Sequence, residues 1–138
     1  MEEIAALDEL ERVAQNLLRE VDSSAVVLLK GNLAAGKTTL VSKIVQILGE
    51  GAATSPTFSL QQSYGERVFH YDFYRVSFDE ILSLGLVEEL EKEGLHFIEW
   101  ADDALKELLI DAGFKLFELD IDILNESSRK YRLKALYA

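Results

Sequence analysis

Nine residues in the first third of the chain have the types and the spacing of a phosphate-binding loop. Residues 31 to 39 read Gly-Asn-Leu-Ala-Ala-Gly-Lys-Thr-Thr, which matches the pattern G-x-x-x-x-G-K-T. Glycines let such a backbone curl so that its N–H groups point at phosphate oxygens, and a helix that begins near Lys37 adds its positive dipole end. Lys37 is then expected to reach the β- and γ-phosphates, and the Thr38 hydroxyl to complete a Mg²⁺ shell. The loop therefore predicts binding of a nucleoside triphosphate.

The segments on either side of this loop predict the strand and the helix that would hold it. Residues 25 to 30 form an apolar run that ends directly before Gly31, and residues 37 to 48 repeat apolar side chains at helical spacing until Gly49. This strand–loop–helix setting makes the short pattern specific. The alternative interpretation is a glycine-rich turn with an accidental lysine.

Glu99 is the candidate for the second half of such a site. A phosphate loop alone does not hydrolyse ATP, because the metal needs a second protein ligand or a carboxylate that orders its waters. That acid usually ends an apolar strand beside the loop, and Glu99 closes the apolar run of residues 95 to 98. We therefore interpret Glu99, together with Thr38, as a metal ligand. The alternative is an ordinary acid at the end of a strand.

Asp72 is a second candidate acid, on a mostly aromatic strand. Residues 70 to 75 read His-Tyr-Asp-Phe-Tyr-Arg, and strand alternation places His70, Asp72 and Tyr74 on one face. An acid in such a segment needs a partner or a function. Structural pairing with Arg75 or His70 is the alternative to a catalytic role.

Three further ring side chains lie near these acids in the sequence. His70 is interpreted as a hydrogen-bonding strand residue rather than a catalytic base, and His96, which has apolar neighbours, as a structural residue. Trp100 could cap the nucleotide or close the core, since the type of side chain alone does not decide.

Composition limits the classes of protein to which this chain can belong. Its 138 residues are 49% hydrophobic and include one proline, which suits one ordered domain with a single core. Cysteine is absent, so disulfides and thiolate metal sites are excluded. No apolar stretch has the roughly 20 residues of a membrane helix, and the N-terminus lacks the features of a signal peptide. We therefore expect a cytoplasmic protein with no membrane partner.

The charge of the chain is unevenly distributed. The net charge is −11, yet residues 125 to 138 hold four basic side chains and one acidic one, so the rest of the chain carries −14. Such an acidic body repels a phosphate backbone. If the protein works on nucleic acid, a partner is expected to do most of the binding. The alternative is an acidic surface that only maintains solubility.

The order of the predicted elements indicates an α/β fold. Strands that alternate with helices form a sheet with helices on both faces, parallel in its nucleotide-binding half. An antiparallel hairpin near the C-terminus is expected to extend one edge. The predicted helices cover residues 7 to 21, 37 to 48, parts of 78 to 90 and 102 to 109, and the predicted strands cover 25 to 30, 67 to 75, 95 to 100, 117 to 123 and 131 to 137.

The charges of the C-terminal hairpin predict its register. Pairing Asp122 with Arg132 and Asp120 with Lys134 would place opposite charges together on one face and the apolar side chains on the other. A slip by one residue would turn the apolar face to water. This pairing leaves residues 125 to 129 as the loop.

Together these segments resemble the bacterial TsaE family, also called YjeE, which consists of small phosphate-loop ATPases required for threonylcarbamoyladenosine modification of tRNA. The resemblance covers nearly the whole chain, and the order and spacing of its motifs are those of the family. It rests on the loop at 31 to 39, Ser-Pro-Thr-Phe at 55 to 58, His-Tyr-Asp-Phe-Tyr-Arg at 70 to 75, Leu-Gly at 84 and 85, and Ile-Glu-Trp at 98 to 100.

The resemblance implies roles for particular residues. Thr38 and Glu99 would ligate Mg²⁺, Asp72 would assist the metal or position water, and residues 55 to 58 would be a mobile segment near the γ-phosphate. Trp100 would lie near the nucleotide, and Arg129 matches a family arginine. The implied catalytic residues are Asp72, Glu99 and Lys37, and the implied ATP-binding residues are Asn32, Leu33, Ala34, Ala35, Gly36, Lys37, Thr38, Thr39, Trp100 and Arg129.

The chain departs from the family pattern at three positions. The family loop usually reads Gly-Asp-Leu-Gly-Ala-Gly-Lys-Thr, whereas this chain has Asn32 for the acid and Ala34 for the middle glycine. If position 34 needs a positive φ, Ala34 costs on the order of 1 kcal/mol, and otherwise it stiffens the loop. Ala6 stands where relatives often carry a threonine near the nucleotide.

The family resemblance implies an ATPase subunit that works with partners. TsaE-like proteins act with a TsaD-like and a TsaB-like protein, of which the TsaD-like one transfers the threonylcarbamoyl group to tRNA adenosine. The chain would then meet tRNA only indirectly, through the complex, and would hydrolyse ATP slowly when isolated.

Two other functions stay open at this stage. A small-molecule kinase needs an acceptor pocket and a lid with arginines over the transferred phosphate, whereas only Arg67, Arg75 and Lys92 are basic between Thr57 and Trp100. A nucleotide-dependent regulatory module would switch partners without turnover.

Overall fold

The computed structural model describes residues 1–32, 35–50 and 60–137, and a seven-stranded mixed sheet forms its centre. The strand order across the sheet is β1-β7-β6-β2-β5-β4-β3. The strands are β1 (Glu2–Ala6), β2 (Ala25–Lys30), β3 (Gln61–Tyr64), β4 (Val68–Asp72), β5 (Leu95–Glu99), β6 (Leu116–Ile123) and β7 (Ser128–Ala135). The helices are α1 (Leu10–Val21), α2 (Lys37–Leu48), α3 (Phe78–Ser83), α4 (Leu86–Glu89) and α5 (Asp103–Asp111), with a 3-10 turn at Leu7–Glu9.

The four central strands are parallel, as the sequence predicts for the nucleotide-binding half. β2 pairs with β5 on one side and β6 on the other, and β5 pairs with β4. The carboxyl ends of parallel strands meet at one edge of a sheet, where ligands bind in open α/β folds. Lys30, Asp72 and Glu99 are the last residues of β2, β4 and β5, so the sheet brings them to the same edge.

Helices cover both faces of the sheet, which confirms the predicted architecture. The five residues of α1 that are buried recur at helical spacing, and with α2 they pack on the face of Val27 and Phe97. α3, α4 and α5 pack on the opposite face, which carries Leu28 and Ile98. Each fully buried aliphatic side chain contributes roughly 1.5–3 kcal/mol, so these two layers fix the position of β2 and β5 in the middle.

Polar residues in the sequence determine where two of the outer helices begin. Ser77 accepts a hydrogen bond from Glu80 N at 3.1 Å, and the Glu80 carboxylate accepts one from Ser77 N at 3.3 Å, which closes a capping box at the start of α3. Asp102 caps α5 by accepting from Leu105 N at 2.8 Å. α5 therefore covers residues 103 to 111, close to the predicted 102 to 109.

The C-terminal hairpin forms, but its predicted register is wrong by two residues. Asp120 pairs with Arg132 and Asp122 with Lys130, and Ser128 begins β7, so Arg129 lies in the strand and not in the loop. A shift of two residues keeps every side chain on its face, so alternation could not distinguish the two registers. The turn decides: Asn125 Oδ1 accepts hydrogen bonds from the backbone N–H groups of residues 127 and 128 at 2.9 and 3.0 Å.

Both edges of the sheet are strands that the sequence did not indicate. β1 pairs antiparallel with β7 and β3 pairs antiparallel with β4, so the hairpin is an inner element and not the predicted edge. β1 and β3 read Glu-Glu-Ile-Ala-Ala and Gln-Gln-Ser-Tyr, with too few apolar residues to show a strand pattern. The prediction of a strand from 67 to 75 also ran too long, because β4 ends at Asp72.

Candidate functional site

The described ends of the phosphate loop depend on two glycines for two different reasons. A Cβ on Gly31 would lie 2.7 Å from the Ile121 carbonyl oxygen, so only glycine lets the loop pass this close to β6. Gly36 has a φ of 99° and a ψ of 27° directly before α2, a left-handed conformation that glycine adopts without strain. Ala35 N donates to Asn32 O at 2.9 Å. The predicted binding residues Leu33 and Ala34, with the departure at Ala34, lie outside the described residues, as do Ser55 to Phe58.

Lys37 is buried at the start of α2 and is held by its own loop. Its side-chain nitrogen donates a hydrogen bond to Gly31 O at 3.0 Å and lies 3.9 Å from Glu99 Oε1. Burial lowers the pKa of Lys37, and the nearby Glu99 and Asp72 carboxylates oppose this effect. A buried ammonium beside a backbone carbonyl at the mouth of a phosphate loop is ready to exchange that carbonyl for phosphate oxygens.

Glu99 connects the phosphate loop with the centre of the sheet. The Thr38 hydroxyl donates to Glu99 Oε2 at 3.0 Å, although the two residues are 61 positions apart in the chain. Burial alone raises the pKa of Glu99, but the hydrogen bonds and charges contributed by His70, Thr38 and Lys37 outweigh it, and the pKa is lowered. Glu99 is therefore an ionised, buried carboxylate next to the Thr38 oxygen.

His70 is the third side chain that meets Glu99. It lies on β4 and its Nε2 is 2.5 Å from Glu99 Oε2. The sequence predicted a hydrogen-bonding strand histidine on the face of Asp72, and this is confirmed. Its partner could not be predicted, because only the pairing of β4 with β5 places it beside Glu99. His96 is structural, as predicted: its two ring nitrogens lie 2.7 Å from Tyr71 OH and 2.7 Å from Lys92 O.

Asp72 lies at the exposed rim of this cluster. It is directly opposite Glu99 in the pairing of β4 with β5, and its Oδ1 accepts a hydrogen bond from Tyr74 N at 3.0 Å. Within the described residues, the structural pairing with Arg75 or His70 is not formed, because His70 turns to Glu99. Asp72 is thus an exposed carboxylate close enough to Lys37 to affect its charge.

Trp100 packs on the side chain of Lys37. The lysine nitrogen lies 3.9 Å from the centre of the Trp100 ring, a favourable cation–π distance, and the Tyr74 ring packs against Trp100 with ring centres 5.2 Å apart. Trp100 has a φ of 65°, which is an outlier for a bulky residue. Trp100 packs on the lysine of the phosphate loop. That it caps the nucleotide stays a prediction.

Two cavities open on either side of the loop. Arg129 closes one of them, because its Nε donates to Ala35 O at 3.2 Å and its Nη1 donates to Asn125 O at 2.8 Å. That cavity has a volume of about 290 Å³ and is lined by Leu7, Leu10, Ala35, Gly36, Thr39, Arg129 and Tyr131. The other, of about 250 Å³, is lined by Leu28, Leu29, Lys30, Gly31, Lys37, Trp100 and Ala101.

The oxygen atoms at this site suit a hard cation only if a bound ligand supplies further oxygen atoms. Thr38 and Glu99 supply oxygen atoms, which Mg²⁺ prefers, but Mg²⁺ needs about six ligands and usually takes the others from phosphates and water. Among the described residues, no group of three histidine or acidic side chains could hold a metal by itself. The site therefore fits a metal that arrives with a nucleotide.

The fold and the arrangement of this loop with Thr38 and Glu99 define the class of phosphate-loop nucleotide-binding proteins. Within that class, a family model described as threonylcarbamoyl adenosine biosynthesis protein TsaE matches residues 4–132. The chain belongs to the TsaE family.

Individual relatives agree with this assignment. The tRNA threonylcarbamoyladenosine biosynthesis protein TsaE of Rickettsia felis is 36% identical over 128 residues, which cover 88% of this chain and 72% of that protein. The protein of the same name from Aquifex aeolicus is 32% identical over 130 residues, which cover 88% and 86%. The crystal structure of Bacillus subtilus YdiB superposes with a TM-score of 0.71, and the match covers 99% of this chain and 85% of the YdiB chain. The two sequences are 23% identical, so this likeness supports the fold.

Proposed function

We propose that this chain binds ATP with Mg²⁺ and hydrolyses it as a subunit of the machinery for threonylcarbamoyladenosine modification of tRNA. One observation carries the ATPase part: the hydroxyl of Thr38, in the first turn of α2, donates a hydrogen bond at 3.0 Å to the carboxylate of Glu99, which ends β5. A phosphate loop and a strand-end acid that meet in this way form the two halves of a nucleotide-hydrolysing site. Family membership supports the role in tRNA modification.

The proposed nucleotide lies along the loop, with its phosphates at the start of α2. Lys37 leaves Gly31 O and holds the β- and γ-phosphates, aided by the loop backbone from Asn32 to Thr39 and by the positive end of α2. The nucleoside lies on the Arg129 side, because the cavity there is lined by apolar and aromatic side chains next to Thr39. Trp100 lies near the terminal phosphates, since it packs on Lys37.

Each residue around the γ-phosphate has one proposed task. Thr38 and Glu99 hold Mg²⁺, which when bound neutralises phosphate charge and polarises the γ-phosphoryl group. The Thr38 proton is already donated to Glu99, which leaves the oxygen lone pairs free for a cation. Asp72, exposed and directly opposite Glu99, orients the attacking water.

The proposed partners are a TsaD-like and a TsaB-like protein, with tRNA bound by their complex. The chain outside residues 125 to 138 carries −14, so the body of the protein repels a phosphate backbone and suits a basic protein surface. If the activity depends on these partners, the isolated chain should hydrolyse ATP slowly. The proposed location is the cytoplasm, beside tRNA. None of the helices in the described ranges is long and apolar enough to cross a membrane.

A small-molecule kinase is the less favoured function. Of the three basic residues between Thr57 and Trp100, Arg67 pairs with Glu50 at 3.3 Å and Lys92 pairs with Glu89 at 2.6 Å. Arg75 lies over the Tyr74 ring at 5.1 Å, and Tyr74 packs against Trp100. One arginine beside the site is less than the lid with several arginines that a kinase usually closes over a transferred phosphate.

The decisive measurement is ATP turnover by the purified chain, alone and with its TsaD-like and TsaB-like partners. We expect slow release of phosphate by the chain alone and strong stimulation by the partners, both requiring Mg²⁺. Lys37→Ala should abolish both activities. Lys43→Ala is the matched control on the same helix, because its side chain is partly exposed and donates to Gln46 at 3.2 Å and not to the loop.

Two results would contradict the proposal. Rapid turnover by the chain alone would remove the need for partners. Transfer of phosphate to an added metabolite, with no partner stimulation, would favour a kinase. A regulatory module without turnover would instead bind ATP, respond to partners and release no phosphate above the level of the Lys37→Ala variant.

A further inference from the structure

The buried histidine on β4 has a direct contact with the carboxylate of the site. His70 is 9% exposed, and its Nε2 lies 2.5 Å from Glu99 Oε2. An ionised carboxylate only accepts hydrogen bonds, so the ring nitrogen is the donor. Hydrogen bonds to a charged group are stronger than neutral ones.

The two oxygen atoms of Glu99 are held by three side chains from two elements of the fold, β4 and α2. Oε2 accepts from His70 on β4 and from Thr38 on α2, while Oε1 faces Lys37. A glutamate side chain has three rotatable bonds, so a single contact would leave the carboxylate free to turn. The bond from β4 removes this freedom, because β4 pairs with β5 along its whole length.

The donors around Glu99 differ in what happens to them when a nucleotide binds. Under the proposed function, Lys37 moves to the phosphates, and the Thr38 hydroxyl binds the metal while it still donates to Glu99. His70 has no such second task, since strand pairing fixes its position next to Glu99. It is therefore the donor whose bond to the carboxylate does not depend on the nucleotide or the metal.

We propose that His70 is a positioning residue that orients the Glu99 carboxylate for the metal–nucleotide complex. This inference rests on the proposed function, because it takes Glu99 as the carboxylate that meets the metal. Partners of this kind behind a metal ligand typically change metal affinity by about 10–100-fold when they are removed.

Three substitutions of His70 separate positioning from simple packing. His70→Gln places an amide nitrogen the same number of bonds from the backbone as Nε2, so it keeps a donor for Glu99. His70→Asn places its amide nitrogen one bond nearer to the backbone, at the level of Nδ1, and out of reach of Glu99. His70→Leu removes the donor and retains similar bulk.

The measurement is binding of Mn²⁺ to the protein saturated with ADP, followed by electron paramagnetic resonance. We expect His70→Leu and His70→Asn to raise the Mn²⁺ dissociation constant by about 10-fold or more, and His70→Gln to restore most of the affinity. ADP binding in EDTA, followed by the fluorescence of Trp100, should be retained in all three. His96→Asn is the control for general packing and should lower the unfolding temperature without changing Mn²⁺ affinity.

Each remaining outcome has a defined meaning. Equal Mn²⁺ affinity in the wild type and the Leu variant would overturn the inference. If His70→Leu does not fold, the Gln and Asn variants decide, because equal affinities in these two would also overturn it. If Glu99→Gln and Thr38→Ala weaken Mn²⁺ binding and His70→Leu does not, only the inference fails. If wild-type protein binds neither ADP nor Mn²⁺, the proposed function fails and the inference with it.

Discussion

Two buried glutamates, Glu99 and Glu118, show how similar burial can serve different purposes. Both are less than 10% exposed and both have a lowered pKa. Burial alone would raise the pKa of Glu118, but the close contact with Lys106 and the charges of three lysines outweigh it. Its carboxylate oxygens lie 2.8, 3.5 and 3.7 Å from the nitrogen atoms of Lys106, Lys134 and Lys30.

The difference lies in what the neighbours can do. The three lysines around Glu118 are partly exposed side chains on α5, β7 and β2, and none of them belongs to the phosphate loop. The neighbours of Glu99 are a threonine in the first turn of α2, the lysine of a phosphate loop and a histidine. Two of these three groups can turn to a nucleotide and its metal. A buried acid is thus a candidate for a catalytic role when the side chains that contact it can also bind a ligand. It is structural when those side chains cannot.

The largest expected effect is the loss of turnover in Glu99→Gln. The amide keeps the shape of the side chain but removes the charge that would bind Mg²⁺, so we expect kcat to fall on the order of 100-fold or more with ATP binding retained. Glu118→Gln, the matched substitution in β6, should leave kcat unchanged. Phosphate release measured with saturating ATP checks both. Equal losses in the two variants would erase the distinction between the glutamates.

The next largest effect is on stability, and here Glu118 is the glutamate whose substitution matters. Glu118→Gln leaves three lysines close together without their counter-charge, and we expect a loss of about 1–2 kcal/mol, between the values for exposed and fully buried ion pairs. Urea unfolding followed by circular dichroism measures it. An unchanged urea midpoint would mean that the lysines separate into solvent at no cost and that Glu118 has no structural role.

The smallest expected effect is the pH dependence of that loss. The pKa of Glu118 is lower in the folded protein than its ordinary value of 4.5, so the unfolded chain binds the proton more readily. The stabilisation is therefore complete above pH 4.5 and is lost as the pH falls through the folded pKa. The difference in unfolding free energy between wild type and Glu118→Gln should shrink over that range. A difference that stays constant down to pH 3 would contradict the lowered pKa.

Local patterns were enough to predict most of the site. The glycines and Lys37 stand in one continuous motif, and the strand-end position of Glu99 follows from an apolar run that stops at an acid. The hydrogen-bonding role of His70 on the face of Asp72 was also predicted, whereas its burial was not. That Glu99 is its partner was not, because the contact crosses 29 residues and depends on β4 lying beside β5.

The errors concern features that local patterns do not encode. The burial of Glu118 was not predicted, because apolar and polar residues that alternate along a strand indicate one exposed face. In the structure Lys106 of α5 lies over Glu118 on that face. The register of the hairpin was wrong because two registers two residues apart expose the same faces, and Asn125 in the turn selects one of them. The edge strand β1 was missed because it forms by pairing with β7 and not by its own propensity.

The sequence by itself determined the phosphate loop, the apolar strands, the amphipathic helices and the acid that ends β5, since each depends on residues within a few positions of one another. Only the tertiary structure decided which side chains meet that acid and which buried glutamate has a nucleotide loop beside it. Strand order is the physical reason. It is set by the packing of two helical layers on a sheet, and it brings Thr38, His70 and Glu99 together from three separate parts of the chain.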